Sequence, residues 1–530
     1  MSLFRNLLGQ VVVGGGGDPD TFICKIKNTN SDTVTPYIAF PVRSAYSGIP
    51  SITVTIETSS GQSQTLTITG NDLTTKNDTA IFSLGRIDYF SNVSLDQDET
   101  ATVTIYSYSR KFPSFSFQSS NSSVSYAKPN GLIYEVVTPL PVFIDGYCGG
   151  IFCGLLTSSF PENLFQYGKN IKTLEYTFAY TKLTTVPEGL FRGLVNVENL
   201  YSLFYRSFNL TSVPARLFRD MSNVTNISYI FSNCTSLTTV DSGVFEGMTN
   251  VTSLSNLFSG CPITHLPEGL FNGMTKVISL GSALRDCEKL TTTPSGLFRG
   301  MTKVRYLNNL FSGCRDLTVI PEGLFSGMTE VTNLSWMFQG CYKLTSIPEG
   351  LFNGMTKVTN ISVLFNGCSR LANIPAGLFS GMTEVTSLSN TFGGCTSLTT
   401  IPSDLFSGMT KVVDLTNCFS NCSALASVPV GLFREQVNAT RFNYCFRYVL
   451  ASAIHPNIFC DEATEKTTRF ANVKPDFTSC FDSLKGTVAG TAPALWEYTY
   501  NSTPTKTKCF NGNSSSTLSN YNDIPTEWIS

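Results

Sequence analysis

The chain has 530 residues, 42% hydrophobic and only 14% charged, with a formal net charge of −2. That balance leaves no basic footprint for nucleic acid, and no run of ~18 apolar residues supplies a membrane-spanning helix. Its two histidines are His265 and His455, so the commonest general base and metal ligand is nearly missing, which weighs against catalysis and against a bound metal.

Residues 1–17 read as a docking peptide ending in a glycine tether, Gly14 to Gly17, flexible by composition. As a secretion signal the segment is poor. Arg5 supplies a charge, but Asn6, Gly9 and Gln10 interrupt the apolar run and no small-residue cleavage site follows. Cys24, in TFICK, lacks the small residues of a lipoprotein site. The expectation is a protein made in the cytosol without secretion.

Residues 18–150 read as β-structure. SITVTIETS, SQTLTITG and TATVTIYSYS alternate apolar residues with Thr or Ser, the period of half-buried strands. Turn residues separate them at Ser59 to Gln62 and at Lys128 to Gly131. About seven short strands fit a sandwich-like attachment domain.

Residues 155–460 are a repeat. P-E-G-L-F or a variant begins at Pro161, Pro187, Pro214, Asp241, Pro267, Pro294, Pro321, Pro348, Pro375, Pro402, Pro429 and Pro456, in steps of 26 or 27 residues. The consensus is P-E-G-L-F-x-G-M-T-x-V-T-x-L-x-x-x-F-x-G-C-x-x-L-T-x-I. A fixed period of this size means a solenoid. Residues 461–530, with APALWEY and DIPTEW, read as degenerate repeats and a cap.

Each coil says nearly the same thing twice. In the coil from Pro348 to Ile374, Pro348 and Glu349 suit the first turn of a short helix, and Gly354 suits its left-handed stop. Val358 to Ile361 is β-prone. Phe365 to Gly367 repeats the turn, and Leu371 to Ile374 the extended piece. Short strands plus short helical turns are therefore expected in both halves.

The motifs L-F-x-G-C-x-x-L-T-x-I-P and G-M-T-x-V-T-x-L-S resemble the BspA-like leucine-rich repeats of bacterial and protist surface proteins. They are also similar to arrays in virion proteins of phages that infect Bacteroides. The resemblance covers about two thirds of the chain and implies adhesion or recognition of host surfaces without catalysis. The coils here are longer than those usual in that family, and a convincing export signal or anchor is lacking.

Cys234, Cys261, Cys287, Cys314, Cys341, Cys368, Cys395 and Cys422 share one repeat position. They read as a column of small, buried, reduced thiols. Cys418 and Cys445 form a second such pair, and Cys148 and Cys153 are close enough in sequence to bond. No zinc-type C-x-x-C spacing occurs. Glu162, Glu188, Glu268, Glu322 and Glu349 are explained by the start of a helical turn. Lys303, Glu330, Lys357, Glu384 and Lys411 alternate in sign along one row and read as a solvent-facing edge that enforces register. N-x-S/T at Asn209, Asn223, Asn226, Asn250, Asn333 and Asn360 follows from the repetition. LDQDET, from Leu95, reads as a turn and not a calcium loop.

Positions that vary between coils face solvent, and those just after the Cys vary most. Arg315, Trp336, Tyr342, Lys343 and Arg370 are the candidate recognition residues, suited to a glycan or a protein hot spot. No catalytic, cofactor-binding or metal-ligating set is expected. The expected function is a non-enzymatic phage virion protein, a fibre or appendage. Its N-terminal region would dock on other virion proteins and its repeats would meet a host glycan or protein. Its partners would include further copies of itself, as in a trimer, with no nucleic acid and no membrane insertion. A bacterial or protist surface adhesin is the alternative, and a glycan depolymerase a third.

Overall fold

The computed structural model describes residues 21–27, 36–41, 52–68, 86–90, 100–107, 116–119, 133–136, 140, 146–154, 159–460 and 466–530. The tether at 1–17, the turn at 128–131 and the stretch 95–99 of LDQDET lie outside the described residues. Contacts divide the chain into two units, Met1–Asn250 and Val251–Ser530.

The first unit opens with eight strands among the described residues: β1 (Thr21–Lys27), β2 (Pro36–Pro41), β3 (Ile52–Thr58), β4 (Ser63–Ile68), β5 (Arg86–Phe90), β6 (Thr100–Ser107), β7 (Ser116–Ser119) and β8 (Ile133–Val136). They form an antiparallel sheet in the order β4-β3-β6-β1-β8 and a second, β5-β2-β7. The alternation of SITVTIETS has its physical counterpart in β3. Val54 and Ile56 are buried while Glu57 is exposed, and Ile56 lies opposite buried Val103.

Coil stacking begins earlier than the P-E-G-L-F pattern. The N–H groups of Cys148, Gly150, Phe152 and Gly154 donate to the carbonyls of Thr173, Glu175, Thr177 and Ala179. Those of Leu174, Tyr176, Phe178 and Tyr180 donate in turn to Asn199, Tyr201, Leu203 and Tyr205. YCGGIFCG is thus already a rung of the ladder, ahead of residue 155, and the first among the described residues. Cys148 and Cys153 are both unbridged thiols within it.

The second unit shows how one coil folds. The expected helical turn does not form. Gly350 and Gly354 both sit at positive φ, +66° and +80°, and a left-handed residue every fourth position prevents a helical run. What forms is a pair of tight turns, with Asn353 N–H on Gly350 O at 3.0 Å and Met355 N–H on Phe352 O at 3.1 Å. The expected strand shrinks to a single bridging residue, Asn360, paired in parallel with Asn333 and Ser387.

The other half-coil carries the ladder. N–H groups of Val363, Phe365 and Gly367 donate to Ser389, Thr391 and Gly393 of the next coil at 2.8, 2.9 and 2.7 Å. The alternate N–H groups, of Leu364, Asn366 and Cys368, close turns inside their own coil. All six backbone donors from Val363 to Cys368 are therefore used. Left-handed residues again recur four apart, at Val363 and Gly367.

Apolar consensus side chains fill the interior: Phe352, Met355, Val358, Phe365, Cys368 and Leu371 are all at most 1% exposed. Rings stack in register but not equally. Phe338–Phe365 and Phe365–Phe392 lie 5.4 and 5.6 Å apart, against 6.3 and 6.4 Å for Phe352–Phe379 and Phe379–Phe406. Successive coils of this unit are wedged, with the ladder on the narrow side.

The ladder persists after the spacing changes, through Asp476 to Ser483 and Thr505 to Gly512. Where the step lengthens, buried Arg469 donates Nη2 to the carbonyls of Phe433 and Gln436 at 3.0 Å each. Residues 526–530 pair with the rung before them, with Phe510 N–H on Trp528 O and Lys508 N–H on Ser530 O, both at 2.9 Å.

Candidate recognition surface

Side chains emerge at spaced positions on the ladder half of each coil. In one coil Asn333, Trp336 and Gln339 emerge, set between the buried Leu334, Ser335, Met337 and Phe338, with Ser335 just beneath the surface. Asn333 Oδ1 accepts the Ser335 N–H at 2.9 Å, and Asn360 and Asp414 repeat the contact on Ser362 and Thr416 at 2.9 and 3.0 Å. The recurrent N-x-S is a turn lock at these sites.

Trp336 stands on this face, 45% exposed, with φ +62°. In other coils of the unit its place is taken by Asn256, Asn309, Asn390 and Asn417, and also by Ser282, Val363 and Tyr444; asparagine is the residue that tolerates the left-handed region best after glycine. A tryptophan there is strained, and strain of this kind collects at functional positions.

The other four candidates lie on a different strip, the turn after the Cys. Tyr342 is 47% exposed, and its ring covers Gly367, where an added Cβ would lie 3.7 Å from it. Arg315 and Lys343 do not project free charge. Arg315 pairs with Glu288 at 3.4 Å and Lys343 with Asp316 at 2.7 Å, each one coil back. The hydrogen bond from Lys343 holds the Asp316 carboxyl below its ordinary range. Arg370 is exposed and has no carboxylate partner among the described residues.

The ladder face of the first unit carries an aromatic group of five tyrosines. Ring centroids of Tyr176 and Tyr201 are 5.5 Å apart, of Tyr201 and Tyr229 5.4 Å, and of Tyr180 and Tyr205 5.5 Å. Arg206 lies over Tyr205 at 5.3 Å and Tyr180 at 5.8 Å. Tyr176, Tyr180, Tyr229 and Arg206 all occupy left-handed positions, at φ 54°, 59°, 61° and 56°. Burial raises the Tyr180 and Tyr201 phenols above their ordinary range, so both stay protonated at neutral pH. Reading variation only after the Cys misses this cluster. Its signal is in the sequence nonetheless, as tyrosines in columns filled in most other coils by small polar residues or Gly.

A smaller group of the same make-up lies in the second unit. Arg447 sits over Tyr448 at 4.4 Å and Tyr444 at 5.4 Å, and Lys485 over Tyr448 at 4.7 Å. Asp482 neutralises Arg447 at 2.8 Å.

Among the described residues, no three His, Cys, Asp or Glu side chains gather as a metal would require. No helix there is long and apolar enough to cross a membrane.

A family model for the BspA-type leucine-rich repeat region matches the chain in six copies, over residues 157–279, 202–332 and 311–448. The chain belongs to that family. The matched span exceeds half its length and coincides with the coils described above. No curated protein matches the chain. The class this points to is a repeat-based protein of the surface-adhesion type, built on a leucine-rich-repeat solenoid.

Proposed function

We propose that the chain is a non-enzymatic recognition protein that presents the ladder face of its coils to a host cell surface. The observation that carries this reading is the set of aromatic and basic side chains held in left-handed backbone where most other coils carry Asn, Gly or Ser. Each such residue costs about 1–3 kcal/mol of strain, which ring contacts worth about 0.5–1.5 kcal/mol each offset only in part. Tyrosine, tryptophan and arginine are also the side chains that dominate binding hot spots.

The reading includes a setting. The protein is a fibre or appendage of a phage particle. Its N-terminal strands form a sandwich-like attachment domain that docks on other virion proteins, and the particle carries the chain as an oligomer. Mass spectrometry of purified particles of a Bacteroides phage tests the setting. Finding the chain in cell envelopes and not in particles would favour the adhesin alternative.

Recognition itself is tested by flow cytometry of the labelled chain on Bacteroides cells. Saturable binding that survives protease treatment of the cells and is lost after periodate oxidation of their surface sugars is the expected result. Absence of saturable binding across such hosts would overturn the reading.

A further inference from the structure

We propose that the tyrosine cluster of the first unit is a subsite for an acidic polysaccharide, with sugar rings on the tyrosines and a sugar carboxylate on Arg206. This rests on the recognition reading above and names the ligand class for one part of that face.

Charge decides for an acidic ligand. Arg206 is exposed and has no carboxylate partner among the described residues. Other exposed arginines of the coils are neutralised: Arg216 meets Glu246 at 3.0 Å, Arg315 meets Glu288 at 3.4 Å and Arg441 meets Asp414 at 3.2 Å. The one carboxylate amid the cluster, Glu175, is already engaged. It accepts from Tyr147 Oη at 2.9 Å and from Asn199 Nδ2 at 3.1 Å. What the cluster leaves open is a guanidinium braced on two rings, a ready partner for a carboxylate.

Geometry decides for a sugar over a peptide. The backbone donors of this face are consumed by the ladder: Tyr176 and Tyr180 donate to Tyr201 and Tyr205, and Ser202 and Arg206 donate to Ser228 and Ser232. An extended peptide therefore cannot add as a strand. Recognition must pass through side chains. The rings meet nearly edge to face, at 60° to 87°, which offers both ring faces and phenol hydroxyls. A pyranose has the matching pair, an apolar C–H face and a rim of hydroxyls.

The test measures affinity of the full chain for polygalacturonate, for its fully methyl-esterified form and for poly-glutamate. Substitutions are borrowed from the following coil to spare the fold. Asn233 holds the place of Arg206 at φ +59°, and Ser228 and Ser232 hold those of Tyr201 and Tyr205. We expect polygalacturonate to bind about tenfold tighter than its ester. Arg206→Asn should abolish that preference, and Tyr201→Ser with Tyr205→Ser should weaken both polymers. Equal binding of acid and ester, a preference that survives Arg206→Asn, or poly-glutamate binding as tightly would overturn the subsite. If the variants still bind Bacteroides cells like the parent, the subsite fails and the recognition reading stands. If the parent binds no cells, it is the recognition reading that fails.

Discussion

The thiol of Cys368 donates a hydrogen bond to the main-chain carbonyl of Phe338, one coil back, at 3.2 Å. Cys287, Cys314, Cys341, Cys395 and Cys422 make the same contact at 3.1 to 3.3 Å. In the first unit Cys234 does so at 3.2 Å, and Ser207 uses its hydroxyl at 2.8 Å on Phe178. The column therefore supplies a small buried donor to each coil as well as volume. Cys368→Ala should lower stability by about 1–2 kcal/mol, through a cavity and a less satisfied carbonyl. Cys368→Ser should cost less, since Ser207 shows that a hydroxyl serves. Urea unfolding midpoints check this, and equal losses for the two variants would contradict it.

The same burial makes the fold sensitive to alkali. It pushes Cys368 and Cys422 from 9.0 up to about 12, and Cys314, Cys341 and Cys395 well above 9.0. Unfolded thiols ionise near the unshifted value while the folded ones keep their protons, so the folded state binds more protons across that window. Stability falls with rising pH wherever that holds. The contribution is complete below pH 9 and is lost as pH climbs through about 12. Thermal melts from pH 7 to 11 should show a falling midpoint above pH 9. A midpoint flat over that range would refute the account of the column.

Gly354, at φ +80°, stops one turn and starts the next. Gly354→Ala forces a Cβ into the left-handed region and should cost about 1–2 kcal/mol, with Gly354→Asn costing less. Chemical denaturation of the two variants measures it. An alanine variant as stable as the parent would mean the turn is not held as described.

Lys357 meets Glu330 at 2.6 Å and Lys411 meets Glu384 at 2.7 Å, on exposed side chains. The hydrogen bond from Lys357 holds the Glu330 carboxyl below its ordinary range. Lys357→Glu would stack three acidic side chains in successive coils. Its melting midpoint should drop at low salt and recover at high salt, while Lys357→Ala stays near the parent. A drop that salt does not relieve would point to a packing defect.

The periodic part of the fold was legible because its apolar letters recur at a fixed step and each has one interior place, as Phe352, Met355 and Val358 show. Local geometry was less so. Pro348 and Glu349 individually suit a helix start, but Gly350 behind them turns left-handed and outweighs both. A second glycine four residues later was the available hint. YCGGIFCG escaped notice as a coil because it lacks the leading Pro and the Leu, although Gly150 and Gly154 keep the left-handed spacing, at φ 69° and 77°. Arg315 and Lys343 looked like binding residues because their partners, Glu288 and Asp316, lie one coil away, where adjacency in sequence cannot reveal them. Tyr176 and Tyr180 were hidden by the opposite effect, since tyrosine in a half-apolar motif looks like core until the ladder shows which side it faces.

The central claim is that aromatic and basic residues occupy left-handed positions for binding and not for folding. Replacing Tyr176, Tyr180, Arg206 and Tyr229 together by Asn, then measuring the melting midpoint and the binding of the labelled chain to Bacteroides cells, tests it most directly. The account predicts a midpoint equal to or above that of the parent, with cell binding reduced about tenfold or more. A variant that melts lower and binds as before would contradict it.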